Sequence, residues 1–252
     1  MRLTVALLLL WEACGRLLFS ARLSRFLPIP TDVIAMGVTL LRNGELIDNV
    51  LHSAGRVAVG GGIGVLSGAA AGVVLAAGRL GRVLEAPLAL LRPVPPIAWI
   101  PLTILWFGVS EAQQVAILAG ATFHVVAPGC ADAARRVPPS LLQAATNLGA
   151  SRLAVAGVRA RAALPGVLTA AREGVAVAWL VVVAAEFVSA PSGLGVLVLE
   201  GRDLLQPART FLGMALLASC GALSDAGLRW VQQRISPAGL SPEGLSPART
   251  ST

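Results

Sequence analysis

The sequence predicts an all-α, polytopic membrane protein, and three observations carry that prediction. Apolar residues make up 56% of the 252 residues and charged ones 13%, with a mean hydropathy of +0.77. A soluble domain normally carries about twice that charged fraction. Long apolar runs recur: a bilayer-spanning helix needs about 20 mostly apolar residues, and six segments qualify, at 3–20, 54–77, 88–109, 112–131, 166–189 and 207–228. The net charge of +7 comes from arginine alone, with no lysine anywhere, and the arginines sit between the apolar runs. They are placed as flanks of membrane spans rather than as a nucleic-acid patch.

Taken in order, Arg2 and Leu3–Leu10 resemble the start of a signal peptide. Trp11-Glu12-Ala13 before Cys14 is a poor cleavage context, and no A-x-A site follows closely, so an uncleaved first span is expected. Within it Glu12 and Arg16 stand four apart and can pair. Residues 33–52, with apolar Ile34, Val38 and Leu41 against polar Arg42, Asn43 and Glu45, read as an amphipathic surface helix outside the membrane. In the second segment Gly64, Gly68 and Gly72 recur every four residues, which puts them on one helix face and invites close approach of another backbone. The third opens with Pro93-Val94-Pro95-Pro96 and contains Pro101, so a broken or kinked entry is expected.

Cys14, Cys130 and Cys220 lie far apart in or beside apolar runs, which argues against a disulfide framework or a zinc site. The tail, 236–252, repeats Ser-Pro-x-Gly-Leu and reads as disordered after a membrane domain of 1–235. Twelve arginines fall on the side shared by Arg2, the 132–165 region and Arg249. Six fall on the other (Arg22, Arg25, Arg42, Arg56, Arg202 and Arg209). That bias predicts both termini in the cytoplasm.

The hydrophilic stretch 132–165 is then cytoplasmic. Pro138-Pro139-Ser140 looks like a helix start, with Ser140 as cap and Gln143 completing a capping box. Leu141, Ala145 and Leu148 recur at helical spacing, and Gly149 suits the stop. A short amphipathic helix between two spans can dock in a groove of a soluble partner or lie on the membrane surface.

Gln143-Ala144-Ala145-Thr146-Asn147-Leu148-Gly149-Ala150-Ser151-Arg152 resembles the E-A-A-x-x-x-G coupling loop of ABC importer permeases, most of all in the nitrate/sulfonate/taurine branch. Three further stretches are similar, in the same order. Leu91–Pro96 with Ile100-Pro101-Leu102 and Ile104–Gly108 resembles the family's third span. Leu164–Thr169 with Ala178–Leu180 and Ala185-Glu186 resembles the span after the loop, and Ser192-Gly193-Leu194-Gly195 its external turn. Three positions depart from the pattern: Gln143 replaces the usual acid, the proline after the loop comes late, at Pro165, and His124 stands where the family often has proline.

The resemblance implies a type I importer fold and a multi-pass location in the bacterial inner membrane. It implies coupling to the ATPase through Leu141, Gln143, Ala144, Ala145, Leu148 and Gly149. Its implied partners are ABC ATPase subunits, an external solute-binding protein, a second copy of the chain and the lipid bilayer, with no nucleic acid. No cofactor is expected here, because a phosphate-gripping P-loop needs its lysine; ATP and magnesium belong to the ATPase partner. The resemblance points to a small anion, a sulfonate such as taurine slightly ahead of nitrate, within a branch that also includes permeases for bicarbonate-like anions and pyrimidine precursors.

Ionisable residues inside spans are candidates for the translocation path. His124 faces either the path or a hydrogen-bonding neighbour, and Glu186 supports path and structural readings alike. Arg172 could add positive potential, while Glu173 beside it reads as interfacial. Trp179 lines a cavity or packs. No nucleophile, metal set or acid–base pair suggests catalysis on this chain. A secondary transporter should show inverted repeats with a midplane ion site, and none is evident; a non-transporting membrane scaffold is the remaining alternative.

Overall fold

A computed structural model describes residues 2–18, 26–76, 78–91 and 93–235. All regular structure among them is helical. In order these are α1 (Arg2–Leu18), α2 (Pro30–Arg42), α3 (Glu45–Arg56), α4 (Gly62–Leu75), α5 (Gly78–Leu91), α6 (Ile100–Phe107), α7 (Glu111–Arg135), α8 (Pro139–Asn147), α9 (Arg152–Ser189), α10 (Leu194–Asp203) and α11 (Pro207–Ile235). A π-helix, Val57–Gly61, joins α3 to α4, and a 3-10 turn, Pro96–Trp99, leads into α6. The tail at 236–252, together with Arg22, Arg25, Arg92 and Arg249 of the arginine count, lies outside the described residues.

Among the described residues four helices are long and apolar enough to cross a membrane: Glu45–Leu75, Glu111–Arg135, Arg152–Ser189 and Pro207–Ile235. A fifth span results if Val83–Leu91 and Pro96–Phe107, separated by a sharp bend, are counted together. The proline run at 93–96 accounts for that bend, since a proline has no N–H to continue the ladder. The first of the six expected segments is α1, whose 17 residues reach about 26 Å, short of the ~30 Å hydrocarbon core.

One expectation about boundaries is corrected. Residues 33–52 do not form one surface helix: α2 ends at Arg42, Gly44 turns the chain at φ 82°, and α3 starts at Glu45. From there the helix continues without a loop into the second span, so half of the supposed surface helix is the start of a span. The fifth expected span, 166–189, lies inside α9, a helix of 38 residues that starts at Arg152, well before the span, and continues through Pro165. Pro165 has no N–H to offer the carbonyl of Arg161, an exposed residue. On the other side Gln232 Nε2 donates to the Pro165 carbonyl (3.2 Å) and to Thr169 Oγ1 (3.1 Å), so α11 braces the proline turn. A proline is tolerated where neighbours supply such bonds.

The chain divides into two compact units. The first is Met1–Gly62, Pro95–Gly120 and Ala178–Ala222; the second is Ile63–Val94, Ala121–Val177 and Leu223–Thr252. In the second unit α7 is packed on both sides through small residues. A Cβ at Gly68 would come within 2.8 Å of Val126 Cβ, and one at Gly72 within 2.5 Å of Cys130 Cβ. On α9, Gly166 and Gly174 abut Ala133 and Val126 of α7 in the same way, and Ala170 abuts Gly129. In the first unit Gly60 lies against Leu118 and the carbonyl of Val115. None of the three cysteines forms a disulfide.

Candidate functional site

In the second unit α8 starts at Pro139, with Pro138 at the cap position and no side-chain capping bond. The expected capping box is therefore absent. Ser140 sits inside the first turn, where the proline at its start already fixes φ and has no N–H to satisfy. The stop is as the residues dictate. Gly149 takes φ 81°, Ala150 N donates to Ala145 O (3.1 Å) and Gly149 N donates to Thr146 O (2.9 Å), the paired bonds of a Schellman end. Leu141, Gln143, Ala144, Leu148 and Gly149 are exposed, whereas Ala145 is half-buried with Leu142. The outward apolar row is thus Leu141, Ala144 and Leu148, at i, i+3 and i+7. Leu148 is 89% exposed, as is Leu153 (84%) across the turn. Arg136, Arg152, Arg159 and Arg161 stand exposed around this row.

The path candidates do not converge on one lining. His124 is half-buried beside Leu75, Glu85 and Phe123, with no hydrogen-bond partner for its buried Nε2. Arg172 is held: its Nε and Nη2 donate to Asp225 Oδ1 at 2.9 and 2.8 Å, and Nη1 donates to Gln232 Oε1 at 3.0 Å. Arg229 shares Asp225 from the next turn of α11. Asp225, a lone acid within an apolar run, was the legible sign of this cluster. Trp179 is buried in the first unit, with Gly221 of α11 beside its ring.

Glu186 lies in a buried clamp of the first unit and is 1% exposed. Its Oε1 accepts from Ser53 Oγ (2.6 Å) and Arg56 Nη1 (2.7 Å), and its Oε2 accepts from Gly195 N (2.7 Å). Arg56, 3% exposed, also donates to the Ser192 carbonyl (2.5 Å) and to Glu111 (2.9 and 2.5 Å). Asn49 Oδ1 and Ser53 Oγ accept from Gly193 N and Leu194 N, each at 2.7 Å. Three backbone N–H groups at the start of α10 are thus satisfied from other helices, in place of a local cap. The glycines of Ser192-Gly193-Leu194-Gly195 now have a reason. A Cβ on Gly193 would overlap the Glu186 carboxylate, and one on Gly195 would sit 2.9 Å from it. Residues 49, 53 and 56 form a polar i, i+4, i+7 row running into an apolar segment, the signal from which this cluster was readable.

Residues 61–237 match the model of a family described as the binding-protein-dependent transport system inner membrane component. The chain belongs to that family. The permease is 32% identical over 219 residues to the taurine transport system permease protein of Escherichia coli, covering 84% of this chain and 80% of that one. It is 30% identical over 239 residues to a putative aliphatic sulfonates transport permease protein of Bacillus subtilis, covering 92% and 84%. Among solved structures, an inward-facing form of the MetNI methionine ABC transporter superposes with a TM-score of 0.69 at 20% identity. That match covers 78% of this chain and 98% of the other, and supports the fold. This chain is therefore the membrane permease component of an ABC importer, a multi-pass protein whose ATP hydrolysis takes place on a separate subunit.

Proposed function

We propose that this permease passes a small anion, a sulfonate ahead of nitrate, and that α8 couples it to the ATPase. The observation that carries the coupling reading is the exposed apolar row Leu141, Ala144 and Leu148, closed by the left-handed Gly149. An apolar helix face with no partner of its own suits a groove in a soluble subunit. Gln143 and Ala145 stand beside that row and complete the contact. Replacing Gly149 by valine leaves packing untouched, because no atom lies within 4 Å of a Cβ there. It strains the turn by about 1–2 kcal/mol. The substitution is expected to abolish uptake and transport-stimulated ATP hydrolysis while the permease still inserts. Full retention of the ATPase in detergent together with normal uptake would overturn the assignment.

The sulfonate reading rests on relatives whose names specify taurine and aliphatic sulfonates. A more partial match, 34% identical over 140 residues, is a riboflavin transport permease of Chloroflexus aurantiacus. Mass spectrometry of the ligand carried by the cognate solute-binding protein decides between them; a neutral or cationic solute excludes an anion. Among the path candidates we retain His124, whose Nε2 has no partner, and Trp179. Arg172 and Glu186 are engaged by Asp225 and Arg56 and act first as struts.

Six spans follow if α1 crosses with local thinning of the bilayer and the bent pair counts as one. Both termini are then cytoplasmic and two copies enclose the path. Reporter fusions at residues 45 and 145 should fall on opposite sides of the membrane, and the same side for both would refute this topology.

A further inference from the structure

We propose that Glu186 and Arg56 are positioning residues that hold α3, the end of α9 and α10 as one rigid block throughout the transport cycle, so that the conformational change of transport takes place outside it. The block is tied at both ends of α10. At its N-terminus Asn49, Ser53 and Glu186 accept the three N–H groups of Gly193, Leu194 and Gly195, while Arg56 holds the carbonyl of Ser192. At its other end Arg209 of α11, itself largely buried, donates to Glu200 of α10 (2.6 Å) and to Glu45 of α3 (3.0 Å). Backbone contact adds to this: a Cβ at Gly201 would meet Thr210 N at 2.6 Å, and one at Gly213 would meet Val198 Cγ2 at 2.6 Å.

Opening such a block is disfavoured for an electrostatic reason. Arg56 and Glu186 are shielded from solvent, and separating them leaves two unpaired charges in a low-dielectric interior. The buried N–H groups of the turn would lose their acceptors at the same moment. A transport cycle that separated these elements would bear that cost at every turnover. One that moved the block whole would not.

Hydrogen exchange on the permease–ATPase complex in lipid nanodiscs, without nucleotide and with ATP plus vanadate, tests the proposal. Protection of the Gly193, Leu194 and Gly195 amides should agree within about twofold in the two states, whereas loss of protection by about tenfold or more on trapping would overturn it. The inference rests on the coupling reading only for its nucleotide trigger, and the segment 139–150 reports that separately. No response of that segment to the ATPase sinks the coupling reading, while deprotection of 193–195 sinks the rigid block. In Glu186→Gln, whose amide replaces one accepting oxygen by a donor, exchange at 193–195 should accelerate by about tenfold or more. ATP hydrolysed per solute should rise while the half-saturating concentration of loaded binding protein stays within about twofold, a split that general misfolding does not give. Ser53→Ala, a milder change, should accelerate the same amides by a smaller factor. Unchanged exchange at those amides in Ser53→Ala, or an unchanged ATP-to-solute ratio in Glu186→Gln, overturns the proposal.

Discussion

Each of the two units of this permease is held together internally by its own chemistry. The first contains eight arginines and eight acidic residues, the second twelve and five, so the whole excess of +7 belongs to the second. In the first, arginine is inward-looking: Arg56 is buried, Arg209 is largely so, and each holds two carboxylates. In the second, helices meet through glycine and alanine, and many arginines stand exposed around α8. Charge therefore does two jobs here. Buried and paired, it fixes a short helix that has too little apolar surface to fix itself. Exposed and unbalanced, it surrounds the helix that we propose docks the ATPase, on the side that the arginine bias assigns to the cytoplasm.

Removing a buried charge partner should show the largest effect. Arg56→Leu leaves Glu186 uncompensated, and breaking a buried pair in this way costs about 3–5 kcal/mol. Little folded permease is expected in the membrane, measured by detergent-solubilised yield and thermal unfolding. The double variant Arg56→Leu with Glu186→Leu should recover part of the loss, because it strands no charge. If the single and double variants unfold alike, the clamp is not electrostatic and the contrast between the units weakens.

Glycine packing in the second unit should be less sensitive but far from neutral. Gly72→Val drives a side chain into Cys130 Cβ and the carbonyl of Ala127. Overpacking of this kind costs about 1–3 kcal/mol. The same change at Gly62, where nothing lies within 4 Å, is expected to leave thermal stability unchanged. Equal effects at 62 and 72 would mean that helix propensity, not contact with α7, governs these glycines.

How much of this was legible depends on sequence distance. Spans, the glycine row and the Gly149 stop are local patterns, and hydropathy or spacing displays them. The polar row at 49, 53 and 56 marks one side of the clamp, but the bond between Arg56 and Glu186 joins residues 130 apart, and no local pattern names the partner. The Ser192–Gly195 turn was recognisable as a motif, but its glycines became intelligible only once Glu186 was seen against them. Helix α10 went unread because ten residues with two glycines are too short for a span. Continuity of α9 through Pro165 was missed because its brace, Gln232, comes from a helix far along the chain. The capping box failed for a local reason: Pro138 and Pro139 start the helix before Ser140 can cap it.

The smallest effect comes from two helix ends built on one pattern, one in each unit. At the end of α10, Gln206 N donates to Gly201 O (2.7 Å) and Leu205 N donates to Arg202 O (3.1 Å). These are the same paired bonds that close α8, with Leu205 at φ 55° where α8 has Gly149. A leucine in the left-handed region carries about 1–2 kcal/mol of backbone strain that glycine avoids. Its side chain is 79% exposed and recovers little of that within this chain. Leu205→Gly should therefore stabilise the solubilised permease by about 1 kcal/mol, seen as a raised unfolding midpoint. Gly149→Leu should lower the midpoint by a similar amount. Mirror-image shifts would show that both ends are governed by backbone strain alone. If Leu205→Gly instead destabilises the permease in nanodiscs while stabilising it in detergent, the leucine is held by a contact that exists only in the membrane.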